Sequence, residues 1–180
     1  NRIRRERSNT MSNLLVQNIK HTNNTTAMVV DTTGRVTQPK KPAFQATVNS
    51  DAWATLSDNG IVPFNDTTNN NSFDVGGDFD TSNYRFVAPV AGKYQFSFLC
   101  YTFNSDNVNA YDINKNGSAL TSSSSGAYTI QGGQASGSVD ATISGTVIAD
   151  LNASDYIDVR ATTGSDYYGT FTHFSGHLIG

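Results

Sequence analysis

From Tyr94 to Cys100 the chain alternates large apolar residues with others at a period of two, placing Tyr94, Phe96, Phe98 and Cys100 on one side and Gln95 and Ser97 on the other. Only a pleated strand with one buried face uses that period, because successive strand side chains point to opposite sides. Pro89 and Gly92 supply the bend that feeds the strand. Beyond Phe98 the run Leu99-Cys100-Tyr101-Thr102-Phe103 is apolar on both faces, so a second sheet or a neighbouring subunit must cover the side opposite the core.

The rest of the chain fits around that strand. With 180 residues it can bury a sizeable core, and one domain with a tail is the simplest division. The spacing predicts strands at 43–48, 53–56, 60–64, 72–74, 84–88, 92–103, 108–115, 127–130, 137–151, 156–162 and 169–179. Turn residues separate most of them, notably Asn116-Gly117, Gly132-Gly133 and Gly164-Ser165. No stretch has an amphipathic helical period of useful length. Many short strands at regular spacing define an all-β sandwich or jelly roll.

The N-terminal part differs. Residues 1–10 form a basic arm, with Arg2, Arg4, Arg5 and Arg7 against Glu6, so the formal net charge of -3 hides a basic end and an acidic remainder. That remainder argues against a nucleic-acid surface on the main domain. The arm itself suits nucleic acid or an acidic protein surface, and reads equally well as a disordered end or as sequence ahead of a start at Met11. Residues 11–38 read as an extended segment of two or three short strands carrying Leu14, Leu15, Val16, Ile19, Met28, Val29 and Val30. So few apolar residues cannot close a core, so the segment must pack on something, and intertwining with copies of itself is the economical answer. Residues 39–42 hold two prolines and form a linker to a head at 43–180.

Chemistry-bearing constellations are sparse. Cys100 is the single cysteine, so no internal disulfide is available. His173 and His177 share a face of the last strand but lie about 13 Å apart, too far for one metal. No serine sits in a nucleophile context, and Glu6 is the only glutamate, so the paired carboxylates of glycan cleavage are not evident. The sequence therefore reads as a non-enzyme without a cofactor. Asp74, Asp78 and Asp80 are the weak candidates for calcium through oxygen ligands, without EF-hand spacing. No apolar run approaches the ~20 residues of a membrane helix, and no secretory leader is present.

The order of motifs from residue 42 onward resembles the C1q-like head, a jelly roll of the tumour necrosis factor-like superfamily. The matching stretches are Pro42-Ala43-Phe44-Gln45-Ala46, Val62-Pro63-Phe64-Asn65, Phe73-Asp74, Tyr84-Arg85-Phe86, Pro89 to Phe98, Lys115-Asn116-Gly117 and Phe174-Ser175-Gly176-His177-Leu178. Two turns depart from the family pattern. A Gly-Asp turn is replaced by Ala153-Ser154-Asp155, and a Thr-Gly by Ser82-Asn83, a mild change because Asn tolerates the left-handed conformation glycine supplies. The resemblance implies a homotrimer whose protomers meet along an aromatic seam, with Tyr101 and Phe103 as its candidates; some such heads bind calcium near the apex. The segment before the head is similar to leaders of tailed-phage virion proteins, especially of marine and cyanobacterial phages. That implies a virion protein, a capsid decoration or head fibre, whose N-terminus docks on capsid or tail proteins while the head faces a host-surface ligand. A tail-fibre receptor-binding protein and a free ligand-binding module stay open as alternatives.

Overall fold

The computed structural model describes residues 16–69, 71–104, 109–123, 126–127, 129–131 and 139–180; the side chains of 103–104, 122–123, 126–127, 131 and 139–140 fall outside that description. The chain divides into two compact units, 1–40 and 41–180. In the first, β1 (Asn18–Lys20), β2 (Thr26–Val30) and β3 (Val36–Thr37) form an antiparallel sheet. Its turns are built locally. Asn24 takes φ 69 and Gly34 φ 83, and the Asp31 carboxylate accepts from the Thr33 and Arg35 backbone N–H groups at 2.8 and 2.9 Å. Among its described residues none is buried as a core: Val16, Ile19 and Val36 are 39%, 47% and 56% exposed.

The head is all β. Its first sheet runs in the order β15 (Val139–Leu151), β9 (Gly92–Asn104), β18 (His173–Leu178), β4 (Ala43–Thr47), β6 (Phe73–Val75). Its second runs β11 (Ser118–Ala119), β10 (Ala110–Lys115), β16 (Tyr156–Ala161), β8 (Arg85–Val87), β7 (Phe79–Asp80), with β14 (Thr129–Gln131) also paired to β10. Two small two-stranded sheets complete the described set, β5 (Trp53–Leu56) with β17 (Ser165–Tyr168) and β12 (Thr121–Ser123) with β13 (Gly126–Ala127). Every pairing among the described residues is antiparallel.

The predicted alternation places the core between the two sheets. Tyr94, Phe96, Phe98 and Cys100 are buried on the inner side of β9, and Ile143, Val147, Ala149 and Leu151 on that of β15. They meet Phe86, Tyr111, Ile113, Ile157 and Val159 of the second sheet. Rings bridge the layers: Phe44 lies 4.9 Å from both Phe79 and Phe86, and Phe98 lies 5.0 Å from Tyr111. These are the close ring packings that make aromatic cores strong. Gly176 lets two rings close over it, since a Cβ there would stand 2.5 Å from Phe96 and 2.7 Å from Phe44. The Phe-Ser-Gly motif is therefore a packing requirement. Asn116 and Gly117, both at positive φ (52 and 81), make the tight turn between β10 and β11.

Several expectations are corrected. The stretch 60–64 forms no named strand, only an isolated bridge between Ile61 and Arg160, because Pro63 has no N–H to extend the ladder. The last predicted strand begins instead as a 3-10 turn, Gly169–Phe171, where Gly169 approaches the Ser50 carbonyl so closely that a Cβ would clash. Asn83 is not the left-handed residue. Tyr84 takes φ 57, while Asn83 donates its backbone and side-chain N–H groups to the Asp80 carboxylate. In the other departing turn Ser154 does occupy the left-handed region, at φ 73.

Candidate functional site

On β9, the residues out of phase with the core are what the head displays. Tyr101 lies on the outward face of the first sheet, beside Leu99, which is 38% exposed, and across from Thr142 of β15. The pairing of β5 with β17 brings Trp53 and Tyr168 opposite each other, and the turn after β17 adds Phe171. Trp53 stacks on Tyr101 at 5.6 Å, Phe171 meets Tyr101 edge-on at 5.4 Å, and Tyr168 stacks on Phe171 at 5.2 Å. The cluster is held from below. The Tyr168 hydroxyl donates to Asp51 Oδ1 at 2.9 Å, Thr172 donates to the Tyr168 carbonyl at 2.8 Å, and Thr102 to the Asp166 carbonyl at 2.6 Å. The hydrogen bond to Asp51 holds the Tyr168 phenol above its ordinary range. Trp53 and Phe171 remain 44% and 54% exposed, so the protomer supplies an aromatic surface that it does not itself cover.

The register fixes where this surface stands. Tyr94 pairs with Leu178 and Gln95 with His177, beside Ala43 at the start of the head. Tyr101 is therefore about 20 Å farther along the strand, toward the end away from the linker. His173 flanks the cluster, sharing a cavity with Leu99, Tyr101, Thr142 and Phe171. Its Nδ1 is buried without a hydrogen-bond partner, and burial lowers its pKa. His177 shares the outward side but is exposed.

Other sequence-predicted residues are placed as follows. The side chain of Phe103 and all of Arg2, Arg4, Arg5, Arg7, Leu14 and Leu15 lie outside the described residues. Val16 and Ile19 are exposed, whereas Met28, Val29 and Val30 are half-buried in β2. Asp74, Asp78 and Asp80 do not gather as an ion site: among the described residues no group of three His, Cys, Asp or Glu is placed to hold a metal. Each has a local setting. Asp74 accepts from the Asp78 and Phe79 N–H groups, and Asp80 closes the next turn through Ser82 and Asn83. Burial and the Asp74 charge push the Asp78 carboxyl up. Cys100 is a core thiol, raised by burial to about 11 and in contact with the Tyr111 hydroxyl at 3.5 Å. Among the described residues no helix is long and apolar enough to cross a membrane.

Sequence reasoning missed the partnership of Trp53 with Tyr101, because the two strands that carry them belong to different sheets. It also missed Asp112, Asn114 and Arg160 on the opposite sheet. The signal for these was the polar residues flanking Ile113, out of phase with the core.

Two antiparallel sheets enclosing an aromatic core, with one outward face aromatic and the other polar, define a jelly-roll head. The model of the C1q domain matches residues 43–179, and the chain belongs to that family. Solved structures agree on the fold. The globular domain of a zebrafish complement 1qA protein superposes with a TM-score of 0.55 at 20% identity, covering 78% of this chain and 98% of its own. The Eiger TNF from S. frugiperda gives 0.54 at 12% identity, covering 78% and 94%. No curated protein sequence matches the chain. C1q-like domains commonly form trimers and typically act as binding modules rather than enzymes.

Proposed function

We propose that this chain is a homotrimeric bacteriophage virion protein, a capsid decoration or head fibre whose N-terminal unit docks on the particle while the C1q head faces outward to attach to a host surface. The observation that carries the reading is the pairing of two incomplete surfaces. Residues 16–37 form a β unit whose Val16, Ile19 and Val36 are left exposed, as in a segment built to be covered by its own copies or by a shell protein. The head in turn leaves Leu99, Trp53 and Phe171 exposed beside Tyr101, an aromatic seam suited to neighbouring protomers. The leader's resemblance to phage virion segments supplies the particle, and capsid or tail proteins are then the partners of Arg2, Arg4, Arg5, Arg7 and the apolar residues of 11–38.

Imaging of the intact particle tests this directly. Copies of the head in threes over the capsid surface, with the N-terminal segments threaded between shell proteins, are the expected result. Heads at the distal tip of a tail would make it a receptor-binding fibre. Absence from the particle would sink the virion role and leave a free ligand-binding module. Deletion of residues 1–41 should leave a folded trimeric head that no longer attaches, and full attachment of that variant would remove the docking role.

A further inference from the structure

The outward face of the second sheet holds a cavity of about 290 Å³, lined by Asp58, Asn59, Asp112, Asn114, Arg160 and Thr162 among others. Asp112 and Asn114 stand two residues apart on β10 and so point to the same side, with Arg160 and Asp158 as their cross-strand neighbours on β16. The Arg160 guanidinium donates from Nε and Nη2 to the two carboxylate oxygens of Asp158 at 2.9 Å each, which leaves its Nη1 as a donor for a ligand. Asp112 Oδ1 and Asn114 Oδ1 are both buried, and neither has a hydrogen-bond partner. Asn114 is only 4% exposed. Two buried acceptors side by side without donors are a costly arrangement that folded proteins seldom keep without use.

The chemistry of the cavity narrows what it receives. Asp58 and Asp112 line it beside an Arg160 whose charge Asp158 already offsets, which disfavours an anion. Both orphaned atoms are acceptors, so the ligand must bring donors. A bare calcium ion would demand six to eight oxygens at close range, and among the described residues no three acidic or imidazole groups converge here. Arg160 and the Asn59 amide set donors beside these acceptors, and a hydroxyl serves both kinds at once. The volume lies at the bottom of the range of roughly 300 to 1,000 Å³ for small-molecule sites, room for one ring.

We propose that this cavity binds a single polyhydroxyl ring, a hexose or aminohexose unit of a glycan, whose hydroxyl or amino groups donate to Asp112 and Asn114 while Arg160 and Asn59 donate to its oxygens. The proposal deepens the surface-attachment reading, which supplies the glycan's setting, and puts the ligand on a different face from the aromatic seam.

Ligand-observed saturation-transfer NMR on the purified full chain, with a panel of free hexoses and aminohexoses, tests it. At least one sugar should show transfer, and Asn114→Ala should weaken its binding by tenfold or more. Because that change removes an acceptor with no partner, the variant's melting temperature should hold or rise; a residue kept for structure would lower it. Asp112→Asn, which keeps the side-chain shape, gives the same binding test should Asn114→Ala fail to fold. No transfer from any sugar would overturn the proposal, as would binding unchanged in both variants or stabilisation by calcium ions alone. The particle is not involved, so failure here leaves the docking reading standing, and absence from the particle leaves the sugar site standing.

Discussion

Strands β9 and β10 follow one another in the chain and face each other across the core, yet what they show to the outside is opposite in character. Both alternate. Inward, Phe98 of one meets Tyr111 of the other at 5.0 Å. Outward, β9 carries Leu99 and Tyr101 beside Trp53 and Phe171, whereas β10 carries Asp112 and Asn114 beside Asp158 and Arg160. The inward residues decide that the two sheets pack. The outward residues are free of that demand, so one sheet presents an aromatic surface and the other a polar one.

The most severe way to break this contrast is to reverse the character of the aromatic face. Leu99→Glu places a carboxylate at a position that is 38% exposed in the single protomer, so the fold should survive. Burying that charge between copies would cost several kcal/mol. The trimer should fall to monomers by light scattering, while Asp112→Lys on the other face leaves it intact. A trimer that tolerates Leu99→Glu would mean that copies do not meet through this sheet.

The polar face responds through the fold instead. Asp158 is 1% exposed and depends on Arg160 for both of its oxygens. Arg160→Ala leaves a buried carboxylate unpaired and should cost about 3 kcal/mol in denaturant unfolding. A loss below about 1 kcal/mol would show that Asp158 reaches solvent, and with it that the face is less closed than its geometry implies.

How much of this the sequence disclosed follows from the same division. The inward half of the alternation was legible, because Tyr94, Phe96, Phe98 and Cys100 obey a period that only a half-buried strand uses, and the order of motifs around them pointed to the C1q head. The closing Phe-Ser-Gly stretch was legible as a motif but not as a cause. Only the structure shows Gly176 standing where Phe44 and Phe96 leave no room for a Cβ. The outward half was partly legible: Tyr101 was visible as out of phase with the core, but its stacking on Trp53 depends on β5 pairing with β17, a contact between residues more than a hundred positions apart. Asp112 and Asn114 alternate with Ile113 as polar positions, a pattern that by itself places them toward solvent. Asn114 is nonetheless buried, and the Asp58, Asn59 and Arg160 that line its cavity come from distant stretches no local pattern encodes.

A milder probe uses His173, on the aromatic face. Its Nδ1 is buried without a partner, and burial lowers its pKa below the usual 6.5. The unfolded chain therefore binds the proton more readily than the folded one. His173 should not weaken the fold above pH 6.5, and stability should fall as pH drops through 6.5 toward the lowered value. His173→Gln should remove that part of the pH dependence in melting curves. Asp155, held to about 2 first by the Lys115 ammonium and then by Asn116, adds stability above its ordinary 3.8 that is lost toward about 2. The two effects separate by pH. An unchanged slope between pH 5 and 6.5 in His173→Gln would mean that His173 is solvated in the assembled protein.

The smallest effect sharpens the comparison most, because it asks how far the aromatic face extends. Lys93 and Asp150 pair across β9 and β15 at 3.1 Å, on the same outward side as Leu99 and Tyr101 but at the opposite end of the strand. Their side chains are 63% and 75% exposed. An exposed pair of this kind contributes about 0.5 kcal/mol or less, screened further by salt. Asp150→Asn should therefore be nearly silent in both unfolding and trimer dissociation. If the seam ran the full length of the sheet, the same change would leave the Lys93 ammonium buried and unpaired between protomers, and the trimer would lose stability by several kcal/mol. A silent Asp150→Asn together with a disruptive Leu99→Glu would confine the seam to the half of the sheet where the rings gather.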